Sequence, residues 1–199
     1  MSHTRALRTA VFLALGAALV VPLAASTAAA TEPEALRLRA FAVDLNTSAR
    51  TNTLDIVVER WSTPEETSKL RDVFLERGDD KLLSALQKTK PRCGFVRTST
   101  SLGWDLYFAR ETPLPNGGRK IVLATDRPVS MWEARNQGRS MDYQFSLTEI
   151  RLGPDGKGEG KAIPYAKLTF NKDTNTLEIE NYQREPVRLN EVTVIEPKK

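Results

Sequence analysis

Leu36-Arg-Leu-Arg-Ala-Phe-Ala-Val-Asp-Leu45 decides the fold class. Leu36, Leu38, Ala40 and Ala42 point one way, and Arg37, Arg39, Phe41 and Val43 the other. Alternation with period two marks a half-buried strand. Downstream, Leu54 to Trp61 repeats the pattern, with Leu54, Ile56 and Val58 on one face. Gly94 to Thr98, Trp104 to Arg110 and Lys120 to Thr125 follow as short apolar segments, with Trp104, Leu106 and Phe108 expected on one face. Met141 to Leu152 alternates again. Glu159 to Phe170, Asn175 to Gln183 and Val187 to Ile195 complete the set. The joints are turn-formers: Asn116-Gly117, Gly153-Pro-Asp-Gly156 and Asn171-Lys-Asp-Thr-Asn175. Successive short strands joined this way pair antiparallel, so the expected fold is mainly β, an antiparallel barrel or sandwich.

One segment breaks the rhythm. Thr63-Pro64-Glu65-Glu66 combines an N-cap Thr, Pro at the first helical position and Glu at the third. Leu70, Val73 and Phe74 follow at helical spacing. Gly78 ends that helix, and Asp79 or Asp80 is expected to cap a second through Leu82, Leu83 and Leu86. Residues 63–89 therefore read as a two-helix hairpin inserted between strands, covering one face of the sheet or plugging one end.

The first thirty residues carry a different message. Arg5 and Arg8 precede an apolar run from Ala10 to Ala25 (AVFLALGAALVVPLAA), and Ala28-x-Ala30 supplies small residues for cleavage. That order is a secretory signal peptide, with Thr31 as the new N-terminus. The run is too short for a spanning helix of about 20 residues. The expected localisation is thus periplasmic or secreted, with no membrane contact after cleavage. Residues 31–199 form one exported β-rich domain, large enough to fold without disulfides.

Composition narrows the chemistry. The net charge is +4, and two of those positive charges, Arg5 and Arg8, lie in the leader. The remaining Lys and Arg are interspersed with Asp and Glu, which argues against a nucleic-acid partner. The only histidine, His3, also lies in the leader. Residues 31–199 therefore offer no imidazole for a Ser-His-Asp or Cys-His mechanism or for a His-ligated metal, and no cofactor motif is present. Cys93 has no internal disulfide partner. Free cysteine is among the most buried residue types, so it is expected to be a packing thiol in a monomer-competent domain.

Three groups can carry a site. The first is the polar stretch Trp132-Glu-Ala-Arg-Asn-Gln-Gly-Arg-Ser140 with Arg127 upstream. Guanidinium forks on Arg127, Arg135 and Arg139 suit a carboxylate or phosphate, and Trp132 can stack on a ligand. The second is a carboxylate set: Asp55, Glu59, Asp105 and Asp126, with Asp44 nearby in sequence. Two acids meeting across strands can act as general acid and base. The third is aromatic: Trp61, Trp104, Trp132, Phe41, Phe95, Phe108, Tyr143 and Phe145 either fill the core or line a cavity. The leading expectation is a non-enzymatic module binding a small apolar or anionic ligand or a partner. The alternative is a carboxylate-based hydrolase or isomerase acting on a polar substrate.

The segments Asp55-Ile-Val-Val-Glu-Arg-Trp-Ser-Thr63, Ser101-Leu-Gly-Trp-Asp-Leu106, Ile121-Val-Leu-Ala-Thr-Asp-Arg-Pro128 and Glu180-Asn-Tyr182 together resemble a group of uncharacterised exported bacterial proteins of similar length. The resemblance implies export and a single domain. It carries no activity, ligand or catalytic residue.

Overall fold

The chain was analysed as a computed structural model, which describes residues 35–46, 50–127, 129, 145–171, 176–181 and 185–196. The leader, the stretch from Trp132 to Ser140 and Tyr143 lie outside the described residues. The elements are β1 (Leu36–Asp44), β2 (Arg50–Val58), α1 (Pro64–Arg77), α2 (Asp79–Gln87), β3 (Gly94–Thr98), β4 (Trp104–Pro113), β5 (Arg119–Thr125), β6 (Phe145–Leu152), β7 (Lys157–Asn171), β8 (Thr176–Asn181) and β9 (Val187–Val194).

Neighbouring strands run β6-β5-β4-β3-β2-β1-β9-β7-β8, and a further β6–β7 pairing joins the ends. The fold is therefore a closed eight-stranded antiparallel barrel, not a sandwich. Strands β8 and β9 both pair with β7. Ala166 to Asn171 face β8, and Lys157 to Ala162 face β9. The two act as one strand interrupted around Glu185. That interruption is held by Asn46 in the turn after β1. Its Nδ2 donates to the Glu185 carbonyl at 2.8 Å, and its Oδ1 accepts from the Glu185 amide at 2.8 Å. Asp44 in turn accepts from Asn46 N and Nδ2, both at 2.9 Å.

The alternating residues of β1 and β2 turn inward as their pattern requires: Leu38, Ala40, Ala42, Leu54, Ile56 and Val58 are buried. Leu106, Ile121, Leu123, Ile150, Leu152, Leu189 and Val192 meet them in the same interior cluster. The interior is thus mostly branched aliphatic, as in small barrels filled by side chains. What remains is a void of ≈ 20 Å³, room for about one water molecule.

The aromatic residues are distributed differently from either expectation. Among the described aromatic residues Trp104 alone is a buried member of the barrel interior, with Trp61 packed at its margin. Phe41 is 40 % exposed on the outer face. Phe108 and Phe145 lie outside the wall, in a second cluster with Leu70 and Leu86 of the helices. A bulge between Leu106 and Phe108 in the β4–β5 pairing explains Phe108. A bulge adds one residue to one strand and shifts the phase of alternation. Leu106 and Ala109, not Leu106 and Phe108, therefore face inward, while Tyr107 and Phe108 both pack under the helices. Pairing then lines up Phe108, Ala124, Leu147 and Ile163 across β4 to β7. This row is the outer surface that the hairpin covers. A second bulge between Phe145 and Leu147 brings Ala166 opposite Phe145, and Pro164 sits within it, where no ladder N–H is required.

The hairpin starts as its sequence dictates. Thr63 Oγ1 accepts from Glu66 N at 3.2 Å, Glu66 Oε2 accepts from Thr63 N at 3.0 Å, and Pro64 occupies the first helical position. The second helix differs from expectation. It begins at Asp79 with Gly78 as its N-cap and no side-chain cap, so the aspartates stand in its first turn.

Arg60 ties the start of α1 to the barrel. Its NH1 and NH2 donate to Glu66 Oε2 and Oε1 at 2.8 and 3.0 Å, and its Nε donates to the Pro91 carbonyl at 3.0 Å. The Arg60 hydrogen bonds, assisted by the Thr63 amide, hold the Glu66 carboxyl below its ordinary pKa. A carboxylate whose folded pKa is lowered adds stability above its unfolded value, about 4.3. That stability is lost as pH falls through the lower, folded value. Thr63→Ala is expected to lower stability by about 1 kcal/mol through loss of the cap. Glu66→Gln is expected to flatten the acid limb of the melting temperature below about pH 4. An unaltered acid limb in Glu66→Gln would contradict this coupling.

Cys93 is fully buried, with Sγ 3.4 Å from Ser62 Oγ. Burial pushes its thiol pKa up. Reductant is therefore expected to leave the melting midpoint unchanged, and thiol-reactive dye to label the protein only in denaturant. Rapid labelling of the native protein would show the thiol to be exposed.

Candidate functional site

Three of the carboxylates expected to carry chemistry, Asp55, Glu59 and Asp105, are drawn into ion pairs on the outer surface. Asp55 lies between Arg39, at 3.3 Å, and Arg97, at 3.8 Å. Its place on β2 opposite Arg39 of β1 and Arg97 of β3 dictates this. Glu59 and Asp105 do come together, but through a cation. Arg92 NH2 contacts Glu59 Oε1 at 2.8 Å, and Arg92 NH1 contacts Asp105 Oδ1 at 2.6 Å. The same guanidinium stacks over Phe95, with Cζ 5.3 Å from the ring centre. The hydrogen bonds that Arg92 donates to Glu59 and Asp105 raise its pKa, so the guanidinium stays charged. Asp126 accepts from Gln87 Nε2 at 3.5 Å. Burial raises the Tyr107 pKa, and the charges of Asp126 and Asp105 add to the rise. Asp44 is buried as the acceptor of the turn after β1. Asp55, Glu59 and Asp105 are thus each engaged by a guanidinium and not by another carboxyl group.

The expected binding residues are only partly described. Trp132, Arg135 and Arg139 lie outside the described residues. Arg127 is exposed, and its NH2 donates to the Gly103 carbonyl at 3.1 Å. Its carbonyl accepts from Thr125 Oγ1 at 2.6 Å and from Ser146 Oγ at 3.2 Å. Ser146 Oγ also accepts from Val129 N at 2.6 Å and meets the Pro164 carbonyl at 2.8 Å. This closes the polar side of the interior void. Trp104 is inside the wall, so its ring is not offered to a ligand on the surface. Among the described residues no group of three or more Cys, Asp and Glu side chains is placed to hold a metal ion.

Space for a ligand lies outside the barrel. A groove of ≈ 600 Å³ crosses the outer face of β5, β6, β7 and β9 and ends against Ile179 of β8. Its apolar lining is Val122, Leu147, Ile163, Ile179 and Pro186. Ile179 is 47 % exposed, and nothing among the described residues covers it fully. Charged residues complete the lining: Glu149, Arg151, Glu159, Lys161, Glu185 and Arg188. Arg151 Nε pairs with Glu149 Oε1 at 2.8 Å. Lys161 and Arg188 stand directly opposite each other on β7 and β9. A second, more open depression of ≈ 630 Å³ lies between α1 and β4 and is lined by Trp61, Arg71 and Arg110 among others.

Sequence reasoning did not find the groove. Its residues come from five strands and the β8–β9 break, and no two of the cations lie close in sequence. The only local signal was the polar–apolar alternation of β6, β7 and β9, which any barrel strand shows.

The chain matches no protein-family description, no curated protein and no solved structure.

Proposed function

We propose that residues 31–199 are an exported binding module that works through the outer groove, not through the barrel interior. The observation that carries this is the contrast in space. The interior void is ≈ 20 Å³, whereas the groove is ≈ 600 Å³ with an aliphatic lining. Small-molecule sites typically span about 300–1,000 Å³ and combine an apolar lining with a few polar groups. The arginine-bound state of Asp55, Glu59 and Asp105 supports a binding role over carboxylate catalysis. Export rests on the charged, apolar and small-residue order of residues 1–30.

Two measurements test the reading. Mass spectrometry of the protein recovered outside the cytoplasm is expected to find Thr31 as the N-terminus, and an intact leader would refute processing. Amide chemical shifts recorded against a library of small amphiphiles and peptides are expected to move at Leu147, Ile163 and Arg188. Shifts confined to other surfaces, or none, would remove the groove as the binding site.

A further inference from the structure

The Lys161–Arg188 pair gives the groove a chemical preference. The two residues are register partners on adjacent antiparallel strands, with both side chains exposed on the outer face. Side chains directly opposite in this way have Cβ atoms about 5 Å apart, and like charges there destabilise the sheet. Counter-ions within the chain do not relieve the pair. Neither residue makes an ion pair or side-chain hydrogen bond among the described residues. Glu149 is the register partner of Lys161 on the other side, but its carboxylate is engaged by Arg151. Glu159 is the register partner of Arg151, not of either free cation. Glu185 also lines the groove, so three acids face three cations, and of the cations only Arg151 forms an ion pair among the described residues, which leaves Lys161 and Arg188 without one. The aliphatic residues Ile163, Ile179 and Pro186 share the lining with the cations, while Val122 lies beyond Glu149 in the same cross-strand row.

From this arrangement we infer that the groove takes an amphipathic carboxylate. Its head group lies between Lys161 Nζ and the Arg188 guanidinium, and its short aliphatic tail runs over Ile163 toward Ile179. The Arg fork accepts a carboxylate bidentately and the Lys adds a point charge, so the ligand supplies the counter-charge that the sheet lacks. A second apolar end is required because the cations are flanked by uncovered aliphatic surface, which a small inorganic anion would leave wet. The inference rests on the groove being the binding surface and adds the class of ligand.

The test compares sodium octanoate, 1-octanol and octylamine by calorimetric titration, with binding located by amide chemical shifts. Octanoate is expected to bind at least tenfold more tightly than either of the others, and its affinity should fall with added salt. The double variant Lys161→Gln, Arg188→Gln is expected to lose at least tenfold in octanoate affinity and to keep its affinity for octanol. Its ligand-free melting temperature should equal or exceed that of the natural protein, because a like-charge contact has been removed. A merely structural pair would instead lower the melting temperature. Lys81→Gln, an exposed change on α2, serves as the control for net charge and is expected to leave octanoate binding unchanged. Equal binding of octanoate and octanol in the groove, unaffected by the double variant, would overturn the carboxylate assignment and leave the groove as an apolar site. Absence of groove shifts with all three compounds would overturn the groove itself.

Discussion

Gly94→Ala is expected to lose roughly 3–5 kcal/mol of stability, combining backbone strain with steric overlap. Gly94 opens β3 with φ 150°, a conformation that side-chain-bearing residues rarely adopt. It is sandwiched by register between Val58 of β2 and Leu106 of β4. A Cβ at this position would lie 2.0 Å from the Val57 carbonyl oxygen and 2.9 Å from its carbon. Both are backbone atoms and cannot rotate away. The strand cannot slide aside either. The Cys93 carbonyl accepts from Glu59 N at 2.8 Å and Arg60 N at 3.2 Å, and Cys93 N donates to the Leu106 carbonyl at 2.6 Å. Relief would require breaking the ladder on one side. For a domain with a typical net stability of about 5–15 kcal/mol, such a loss removes from about a fifth to all of it. Urea denaturation of the purified variant provides the measurement. A midpoint close to that of the natural protein would show that β2 and β3 are not in this close register. Gly158→Ala should behave alike, since its added Cβ would lie 1.9 Å from the Arg151 carbonyl oxygen.

The second large effect is expected from Leu106→Ala, at about 3–4 kcal/mol. Leu106 is 2 % exposed and lines the interior void with Leu54, Ile56, Val96 and Leu123. Truncating a buried leucine removes its transfer free energy and leaves a cavity that rigid neighbours cannot fill. A closed barrel relaxes poorly because every wall strand is paired on both sides. The existing void of ≈ 20 Å³ would therefore grow into an apolar cavity able to hold a small aromatic. Benzene is expected to raise the melting temperature of Leu106→Ala and to leave that of the natural protein unchanged, by preferential binding to the folded state. A loss under 1 kcal/mol with no benzene effect would mean that the interior is looser than described. The same experiment separates an interior made to bind from an exterior that binds by nature. Octanoate affinity at the groove should survive the substitution, since Leu106 lies on the opposite side of the wall.

The hairpin of residues 63–89 was legible because its signals are local. Thr63, Pro64 and Glu66 meet within one turn, and their hydrogen bonds need no distant partner. Strands β1 and β2 were legible for the same reason, since inward and outward residues alternate along each segment. The face of Phe108 was not, because a single inserted residue at the bulge reverses the alternation and no residue type at that position announces it. The meaning of the candidate acids changed once their neighbours were known. Asp55 faces Arg39 and Arg97, and Glu59 and Asp105 share Arg92, because of cross-strand register over separations of 13 to 42 residues.

By itself the sequence determined that the chain is β-rich, where its first helix starts, that residues 31–199 hold no imidazole and that Cys93 has no cysteine to pair with. Each is a matter of composition or of contacts within one turn of chain. The tertiary structure alone decided that the sheet closes, through the β1–β9 and β6–β7 pairings that bring remote segments together. It also decided that the interior is filled while the open groove lies outside, and that Lys161 faces Arg188. Strand pairing is chosen by the joint burial of all the inward faces, a sum over the whole chain that no single segment encodes.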